Sequence, residues 1–179
     1  MARPRGLESL SVVIQVLQQP TPADLDELAR LLVDAVESGA GVSFMLPLSV
    51  DAARAWWQST FDRADPRAAI LVARDADGIV GSVQLHPAWA PNQPHRADVA
   101  KLIVHRRARR RGLGRALMAA LEERAKAAGF RLLTLDTVSG DAAERLYTDA
   151  GWQRVGVIPG YALSPHGQLC DTVVFYKSV

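Results

Sequence analysis

The sequence predicts an α/β domain built on one mixed sheet, and three observations lead to that fold class. Strand-type apolar runs and amphipathic helical segments follow one another along the chain, without an internal repeat. An apolar run at residues 99–104 ends in a basic, glycine-containing turn that opens a helical segment. Hydrophobic residues make up 49% and charged residues 22% of the 179 residues, which suits one domain with a buried core.

The individual elements follow from periodicity, caps and turn residues. β-branched and apolar runs predict strands at residues 11–17, 69–74, 79–86, 99–104, 131–137, 152–158 and 170–177. Helical spacing of apolar residues predicts helices at residues 21–39, 49–63, 111–129 and 141–150. Thr21 caps the first helix, with Asp24 three residues later, and Gly129 ends the third helix. The sequence DADG at residues 75–78 predicts a hairpin.

We expect a flexible tail at residues 1–7 and a single domain at residues 8–179. No apolar run approaches the about 18 residues that span a membrane, and the apolar run near the start lacks a secretory cleavage site. The single cysteine, Cys170, excludes an intramolecular disulfide and fits a reducing compartment. The sequence therefore favours a cytoplasmic protein that binds neither a membrane nor a metal.

Residues 98–117, DVAKLIVHRRARRRGLGRAL, carry the strongest functional signal. Gly112 and Gly114 stand at a helix start, where unpaired N–H groups attract anions and a missing Cβ lets a ligand approach the backbone. Arginines, whose forked donors suit phosphate, stand at positions 106, 107, 109, 110, 111 and 115. Because the net charge is only +2, this positive charge is local. The segment predicts a ligand that carries a diphosphate.

The glycine spacing narrows the class of ligand. No lysine with a following hydroxyl residue is present, as a nucleotide triphosphate loop requires, and Leu117 stands where a dinucleotide fingerprint requires a third glycine. The pattern R-x-x-G-x-G at residues 109–114, directly after a strand, resembles the coenzyme A pyrophosphate loop of the GNAT superfamily of N-acetyltransferases. Two competing interpretations are a solvated basic helix start and a nucleic-acid surface, and the second would need a wider basic face or interleaved aromatic residues.

Further segments agree with this resemblance. The stretch A-E-R-L-Y-x-x-x-G-W at residues 143–152 resembles the family's segment after the fifth strand, although Gly140 stands where many members have asparagine. Residues 39–45, 96–105, 132–137 and 154–169 resemble the tabtoxin resistance acetyltransferases, which acetylate an amino group of a small β-lactam toxin. The resemblance implies a central, mostly antiparallel sheet that splays between strands 4 and 5, with helices on both faces.

The resemblance also implies acetyl-CoA as co-substrate and a set of residues that bind it. These are Leu102, Ile103, Val104, Arg109, Arg110, Arg111, Gly112, Leu113, Gly114, Arg115 and Tyr147. In the family, a bulge in the central strand frees an N–H toward the thioester carbonyl, and by position this donor is Leu102. Tyr147 takes the usual place of the general acid, and its phenol, with a pKa of about 10, suits a thiol leaving group.

Two carboxylates are candidates for the base that receives the amine proton. Strand alternation predicts that Asp98, Ala100, Leu102 and Val104 share one face, and Asp136 ends the neighbouring strand. A carboxylate of pKa about 4 would act through water or by holding the ammonium. Surface or structural salt bridges are the alternative role for both residues.

Apolar or aromatic loop residues are candidates to line the acceptor pocket, with core packing as the alternative; they are Phe44, Met45, Trp89 and Tyr161. The expected reaction is acetyl transfer to the primary amine of a small amino-acid-like, antibiotic or toxin acceptor, by direct attack in a ternary complex. A catalytically weak, coenzyme A-binding regulator of the same fold is the alternative. We expect a monomer or homodimer without a nucleic-acid partner.

Overall fold

The computed structural model describes residues 12–179. The elements within these residues are β1 (Val13–Val16), α1 (Pro22–Glu37), α2 (Val50–Asp62), β2 (Ala69–Asp75), β3 (Gly78–Pro87), β4 (Arg96–Val104), α3 (Leu113–Ala127), β5 (Leu132–Val138), α4 (Ala142–Asp149), β6 (Gln153–Leu163) and β7 (Leu169–Ser178). A short 3-10 helix at Arg106–Ala108 joins β4 to α3. The predicted tail at residues 1–7 and the predicted beginnings of the domain and of the first strand lie outside the described residues.

The described strands form one sheet in the order β1-β2-β3-β4-β5-β7-β6. Neighbouring strands are antiparallel except β4 and β5, which are parallel. That parallel pairing joins only residues 96–98 to residues 132–134, and the two strands separate beyond it. The predicted α/β fold class is therefore confirmed, including the mostly antiparallel sheet that splays between strands 4 and 5.

The helices cover both faces of the sheet, because alternate residues of each strand point to opposite sides. On one face, α1 and α2 pack against β2 side chains such as Ile70 and Val72, around the fully buried Trp57. On the other face, α3 and α4 pack against Leu71 and Phe175. Each large aliphatic or aromatic side chain that is fully buried contributes about 1.5–3 kcal/mol to folding. The two cores hold the sheet between them.

Some element boundaries differ from the predicted ones. The helix α3 begins at Leu113, later than predicted, because Arg110 and Gly112 have φ values of +62° and +78°, which an α-helix does not accept. The strand β6 continues to Leu163, where a loop was predicted, since its pairing with β7 resumes after a bulge. The predicted hairpin between β2 and β3 is confirmed. No helix within residues 12–179 is long and apolar enough to cross a membrane.

Candidate active site

An opening in the sheet lies between β4 and β5. Asp98 and Thr134 are the last residues that pair across it. Beyond them, β4 continues beside β3 alone and β5 continues beside β7 alone. In residues 99–104, the main-chain N–H and C=O groups on the side of β5 form no hydrogen bonds with that strand. A ligand can therefore form hydrogen bonds with them. The carboxyl ends of both parallel strands lie at the same edge of the sheet, where α3 and α4 follow.

The amino terminus of α3 lacks the side-chain cap that the other described α-helices have. The caps of α1, α2 and α4 are Thr21, Ser49 and Asp141. At the start of α3, Gly112 has no side chain to accept a hydrogen bond, and the first helical bond runs from the Ala116 N–H to the Gly112 oxygen at 3.0 Å. The N–H groups of residues 113–115 therefore have no acceptor within the helix, and they are available to an anion.

The two glycines at the start of α3 act differently. Gly112 adopts the left-handed conformation, and nothing lies within 4 Å of the position that its Cβ would take, so its backbone is open to a ligand. A Cβ on Gly114 would lie 2.9 Å from Leu146 Cδ1, so this glycine lets α4 pack against the start of α3. Nearby, Arg115 Nη2 lies 3.9 Å from Asp149 Oδ2.

Two arginines of the basic turn hold the turn itself. The backbone N–H of Arg106 donates to Asp34 Oδ2 at 3.0 Å, and its guanidinium pairs with the same buried carboxylate. Arg107 Nη1 donates to Asp75 Oδ2 at 2.6 Å, and this hydrogen bond lowers the pKa of the Asp75 carboxyl. These arginines tie the turn to α1 and to the β2–β3 hairpin, and neither belongs to the predicted coenzyme-binding set.

The next three arginines differ in their availability. Arg109 Nε donates to the Val104 carbonyl oxygen and its Nη2 donates to Ser38 Oγ, both at 2.9 Å, so this side chain closes the turn. Arg110 and Arg111 are exposed and form no salt bridge with the part of the chain that the structure describes. Their guanidinium groups remain available beside the uncapped helix start.

The central strand β4 contains a bulge at Lys101 and Leu102. Its pairing with β3 shifts between Gln84, which faces Ala100, and Ser82, which faces Ile103. Two residues of β4 therefore stand opposite one residue of β3, and Lys101 has a φ of +53°.

The bulge changes which side chains of β4 share a face. After it, Leu102 and Val104 pack against the α3 core, whereas Ile103 packs against the α1–α2 core. Before it, Ala97 and Val99 point to the α3 core, so Asp98 lies on the opposite face. The expectation that Asp98, Ala100, Leu102 and Val104 share one face is therefore wrong, because the extra residue reverses the alternation.

Asp98 and Asp136 lie on the α1–α2 face, where the strands separate. The Arg96 guanidinium and the Thr134 hydroxyl both donate to Asp98 Oδ1, and Arg96 Nη1 also donates to Thr134 Oγ1 at 2.7 Å. Asp136 follows Thr134 on the same face of β5, is exposed, and accepts a hydrogen bond from Thr172 Oγ1 at 3.3 Å. The structure therefore brings both carboxylates to one side of the opening.

Tyr147 of α4 is buried in the core on the α3 side of the sheet, with 6% of its surface exposed. Its ring lies 6.0 Å from Trp152 and 5.8 Å from Phe175, measured between ring centroids. Burial raises the pKa of the Tyr147 phenol, and the charges of Asp136 and Asp141 act in the same direction. The hydroxyl is therefore protonated at neutral pH, and core packing orients the ring.

Comparison with known proteins identifies the family. The model of the acetyltransferase (GNAT) family matches residues 28–152. The chain belongs to this family. It is accordingly an N-acetyltransferase of the GNAT fold, and acetyl-CoA is the acetyl donor that the family uses.

Relatives and a solved structure agree with the assignment to the GNAT family. An uncharacterized N-acetyltransferase of the hisH-hisA intergenic region of Azospirillum brasilense is 32% identical over 127 residues, 70% of this chain and 74% of that protein. An L-methionine sulfoximine/L-methionine sulfone acetyltransferase of Pseudomonas paraeruginosa is 32% identical over 139 residues, 76% of this chain and 79% of that protein. The fold matches a putative acetyltransferase of Salmonella typhimurium, solved with its cofactor acetyl-CoA, with a TM-score of 0.76, 18% identity and 93% coverage of each chain.

The loop between α1 and α2 in this GNAT chain crosses the carboxyl edge of the sheet. A Cβ on Gly41 would lie 2.4 Å from Val138 Cγ2, and the Leu46 N–H donates to the Pro165 oxygen in the β6–β7 hairpin at 3.0 Å. Phe44 in this loop packs edge to face on Trp56 of α2, with 5.1 Å between ring centroids. The loop therefore covers the opening from the α1–α2 side.

The other candidate acceptor residues are less enclosed. Met45 and Tyr161 are 44% and 56% exposed, on the covering loop and on β6. Trp89 is 91% exposed and follows β3 beside Arg96, at the amino end of β4. Because the opening lies toward the other end of β4, the structure does not bring Trp89 to it.

Sequence reasoning missed two residues of the α1–α2 face, Lys101 and His86. His86 stands opposite Asp98 in the β3–β4 register, and its Nε2 lies 2.7 Å from Gln84 Oε1. Burial lowers the pKa of His86, so its ring is neutral at pH 7. Their place beside Asp98 follows from the pairing register of β3 and β4, which no local sequence pattern indicates. Within residues 12–179, no group of three or more His, Cys, Asp or Glu residues could hold a metal ion.

Proposed function

We propose that this acetyltransferase transfers the acetyl group of acetyl-CoA to the primary amine of a small amino-acid-like acceptor, by direct attack in a ternary complex. The opening between β4 and β5 carries the proposal. At its carboxyl edge lie the free N–H groups of residues 113–115, and on its α1–α2 face lie Asp98 and Asp136. A group that binds anions and a group that binds ammonium therefore meet at one gap in the sheet.

The acetyl-CoA diphosphate would be held by the N–H groups of residues 113–115 and by the side chains of Arg110 and Arg111. The open main-chain edge at Leu102, Ile103 and Val104 would hold its pantetheine arm. Acetyl-CoA supplies an activated thioester. The Leu102 N–H, placed by the bulge, would stabilise the oxyanion that forms on the thioester carbonyl. These roles rest on the family resemblance and agree with the bulge and the uncapped helix.

The reaction forms a C–N bond and breaks a C–S bond, while the amine loses one proton and the thiolate gains one. Tyr147 is the donor toward the leaving sulfur. Because burial raises its pKa, the phenol stays protonated and donates a hydrogen bond, not its proton, to the developing thiolate. The thiolate takes its proton from solvent, which receives the proton that the amine loses. Cys170 lies in β7, where its Sγ is 3.5 Å from the Gln168 oxygen, so an acetyl-cysteine route is not proposed.

The amine proton leaves through Asp98 or Asp136, directly or through water. Arg96 and Thr134 fix Asp98, whereas Asp136 is more exposed. The variants Asp98→Asn and Asp136→Asn separate the two roles. The asparagine that replaces the proton acceptor should lower kcat, whereas the asparagine that replaces the other carboxylate should raise only KM for the acceptor. An unchanged kcat in both variants would exclude both residues as bases.

The proposed acceptor is an amino acid analogue with a free α-amine. One relative is described as acting on L-methionine sulfoximine and L-methionine sulfone, which are acceptors of this kind. The finer resemblance to tabtoxin resistance acetyltransferases stays a prediction, as does a role in toxin or antibiotic resistance.

Thiol release from acetyl-CoA tests the proposal. Purified protein is assayed with L-methionine sulfone, L-methionine sulfoximine, a β-lactam dipeptide and an aminoglycoside. We expect turnover with the amino-acid-like acceptors. If acetyl-CoA raises the melting temperature but no amine consumes it, the regulatory alternative is favoured instead. If acetyl-CoA neither binds nor reacts, the proposed function is wrong.

A further inference from the structure

Lys101 occupies a strained position in the β4 bulge. Its φ of +53° lies in the left-handed region, and among non-glycine residues of 12–179 only Ser43 and Arg110 also have positive φ. A side chain in this region is disfavoured by contacts with its own backbone, and such residues concentrate at functional sites. The bulge also takes Lys101 out of the strand alternation, so its amine reaches α2 and the covering loop.

Two aromatic rings and one hydroxyl surround the Lys101 amine. Its Nζ lies 5.8 Å from the Phe44 ring centroid and 5.7 Å from the Trp56 ring centroid, and it donates to Ser43 Oγ at 3.1 Å. Burial lowers the pKa of this amine, while the nearby Asp136 charge opposes that shift. Ring faces attract a cation, so they also favour the ammonium form.

Lys101 lacks the carboxylate that the other lysines have. Lys126 Nζ lies 2.8 Å from Glu123 and Lys177 Nζ lies 2.7 Å from Glu122. Within residues 12–179, Lys101 forms no salt bridge, and Ser43 accepts only one of its three N–H bonds. A half-buried cation whose two remaining donors have no partner in the described part of the chain can take an anion as its next partner. The site is therefore complementary to an anionic ligand.

The position of Lys101 indicates which anion it takes. It directly precedes Leu102, the proposed oxyanion donor, and it reaches the face that carries Asp98 and Asp136. The helix α3, whose free N–H groups suit phosphates, packs on the opposite face of the sheet from Trp56, which Lys101 contacts. An α-amino acid carries a carboxylate and an ammonium close together, which matches a cation beside two carboxylates. We infer that Lys101 binds the carboxylate of the acceptor and thereby selects amino acids over amines that lack one; this inference rests on the proposed function.

Two matched acceptors test this inference: L-methionine sulfone and its primary amide, which lacks the carboxylate charge. The wild-type enzyme should prefer the acid. Lys101→Met keeps the length of the side chain and removes the charge, so kcat/KM for L-methionine sulfone should fall about 10- to 100-fold, mainly through KM. The wild-type enzyme and the variant should have the same kcat/KM for the amide. The acid and the amide differ in the basicity of their amines, but this difference cancels when the acid-to-amide ratio of kcat/KM is compared between the two enzymes.

Lys101→Arg should restore part of the preference, because it restores the charge. Lys126→Met, which removes a surface lysine, should leave both acceptors and KM for acetyl-CoA unchanged. A wild-type enzyme that uses acid and amide alike, or a Lys101→Met variant that loses both equally, would overturn the inference. If neither acceptor reacts, binding of L-methionine sulfone to the coenzyme A-saturated enzyme is measured by calorimetry instead. Equal affinity of the wild-type enzyme and the Lys101→Met variant would overturn the inference. Failure of the proposed function can be distinguished from failure of this inference, because in that case no amine would release thiol from acetyl-CoA.

Discussion

A methyl group added at Gly112 should lower the stability of the protein and, in addition, weaken its binding of acetyl-CoA. Gly112 has a φ of +78° and nothing within 4 Å of its Cβ position, so Gly112→Ala meets no protein atom and only its backbone conformation is strained. Gly129, just after α3, has a φ of +84° and equally open surroundings. Either alanine should therefore lower the free energy of unfolding by about 1–2 kcal/mol, which makes Gly129→Ala a matched control.

The two variants should differ in the stabilisation that acetyl-CoA provides. Bound ligand at 100 times its Kd raises the free energy of unfolding by about 2.7 kcal/mol. If the methyl group at Gly112 weakens binding tenfold, the same ligand concentration adds only about 1.4 kcal/mol. Thermal unfolding with and without acetyl-CoA measures this difference, because about 1 kcal/mol shifts the midpoint by about 2–4 °C in a chain of this size.

Gly129→Ala should keep the full ligand-induced shift, since its site is remote from the start of α3. Equal ligand-induced shifts in the two variants would refute the placement of the diphosphate at the start of α3. A loss of ligand stabilisation in both would indicate that the strain spreads through the helix, and it would also count against a local effect at Gly112.

Three further predictions concern other residues. Tyr147→Phe keeps the packing on the core and removes only the hydroxyl, so kcat should fall about tenfold or more while KM for acetyl-CoA is kept; an unchanged kcat would remove Tyr147 from the mechanism. Burial lowers the pKa of His86 below its usual 6.5, so the unfolded chain binds this proton at higher pH than the folded chain, and stability is lost as pH falls below about 6.5. His86→Gln should lessen that loss in urea unfolding between about pH 7 and 5, and identical pH dependence would contradict the assignment. Asp34→Asn leaves Arg106 without its buried carboxylate and should lower the free energy of unfolding by about 1–3 kcal/mol, which urea unfolding measures.

Several features of this chain could be predicted from the sequence because short-range geometry decides them. The cap at Thr21, the turn at DADG and the helix stop at Gly129 each involve residues within one turn of one another. The pattern R-x-x-G-x-G identified the family because the loop that it specifies is local, and the match to residues 28–152 confirmed that family. The order of the elements then predicted one mixed sheet, which the structure confirmed.

Contacts between residues distant along the chain could not be predicted. Arg106 pairs with Asp34 and Arg107 pairs with Asp75, and each pair joins two separate elements. Trp89 lies away from the opening because of the path of the β3–β4 connection. The bulge at Lys101 reversed the expected alternation, since one extra residue in a register changes every face beyond it.

The sequence by itself determined the strand, the glycine turn and the uncapped helix start that we propose as the diphosphate site, because adjacent residues set backbone conformation and leave the helix N–H groups free. Only the tertiary structure decided which side chains meet at the opening. The Lys101 amine reaches Phe44 and Trp56 because the bulge, the covering loop and α2 pack together. That packing depends on strand register and on burial in two separate cores, which no single stretch of the chain encodes.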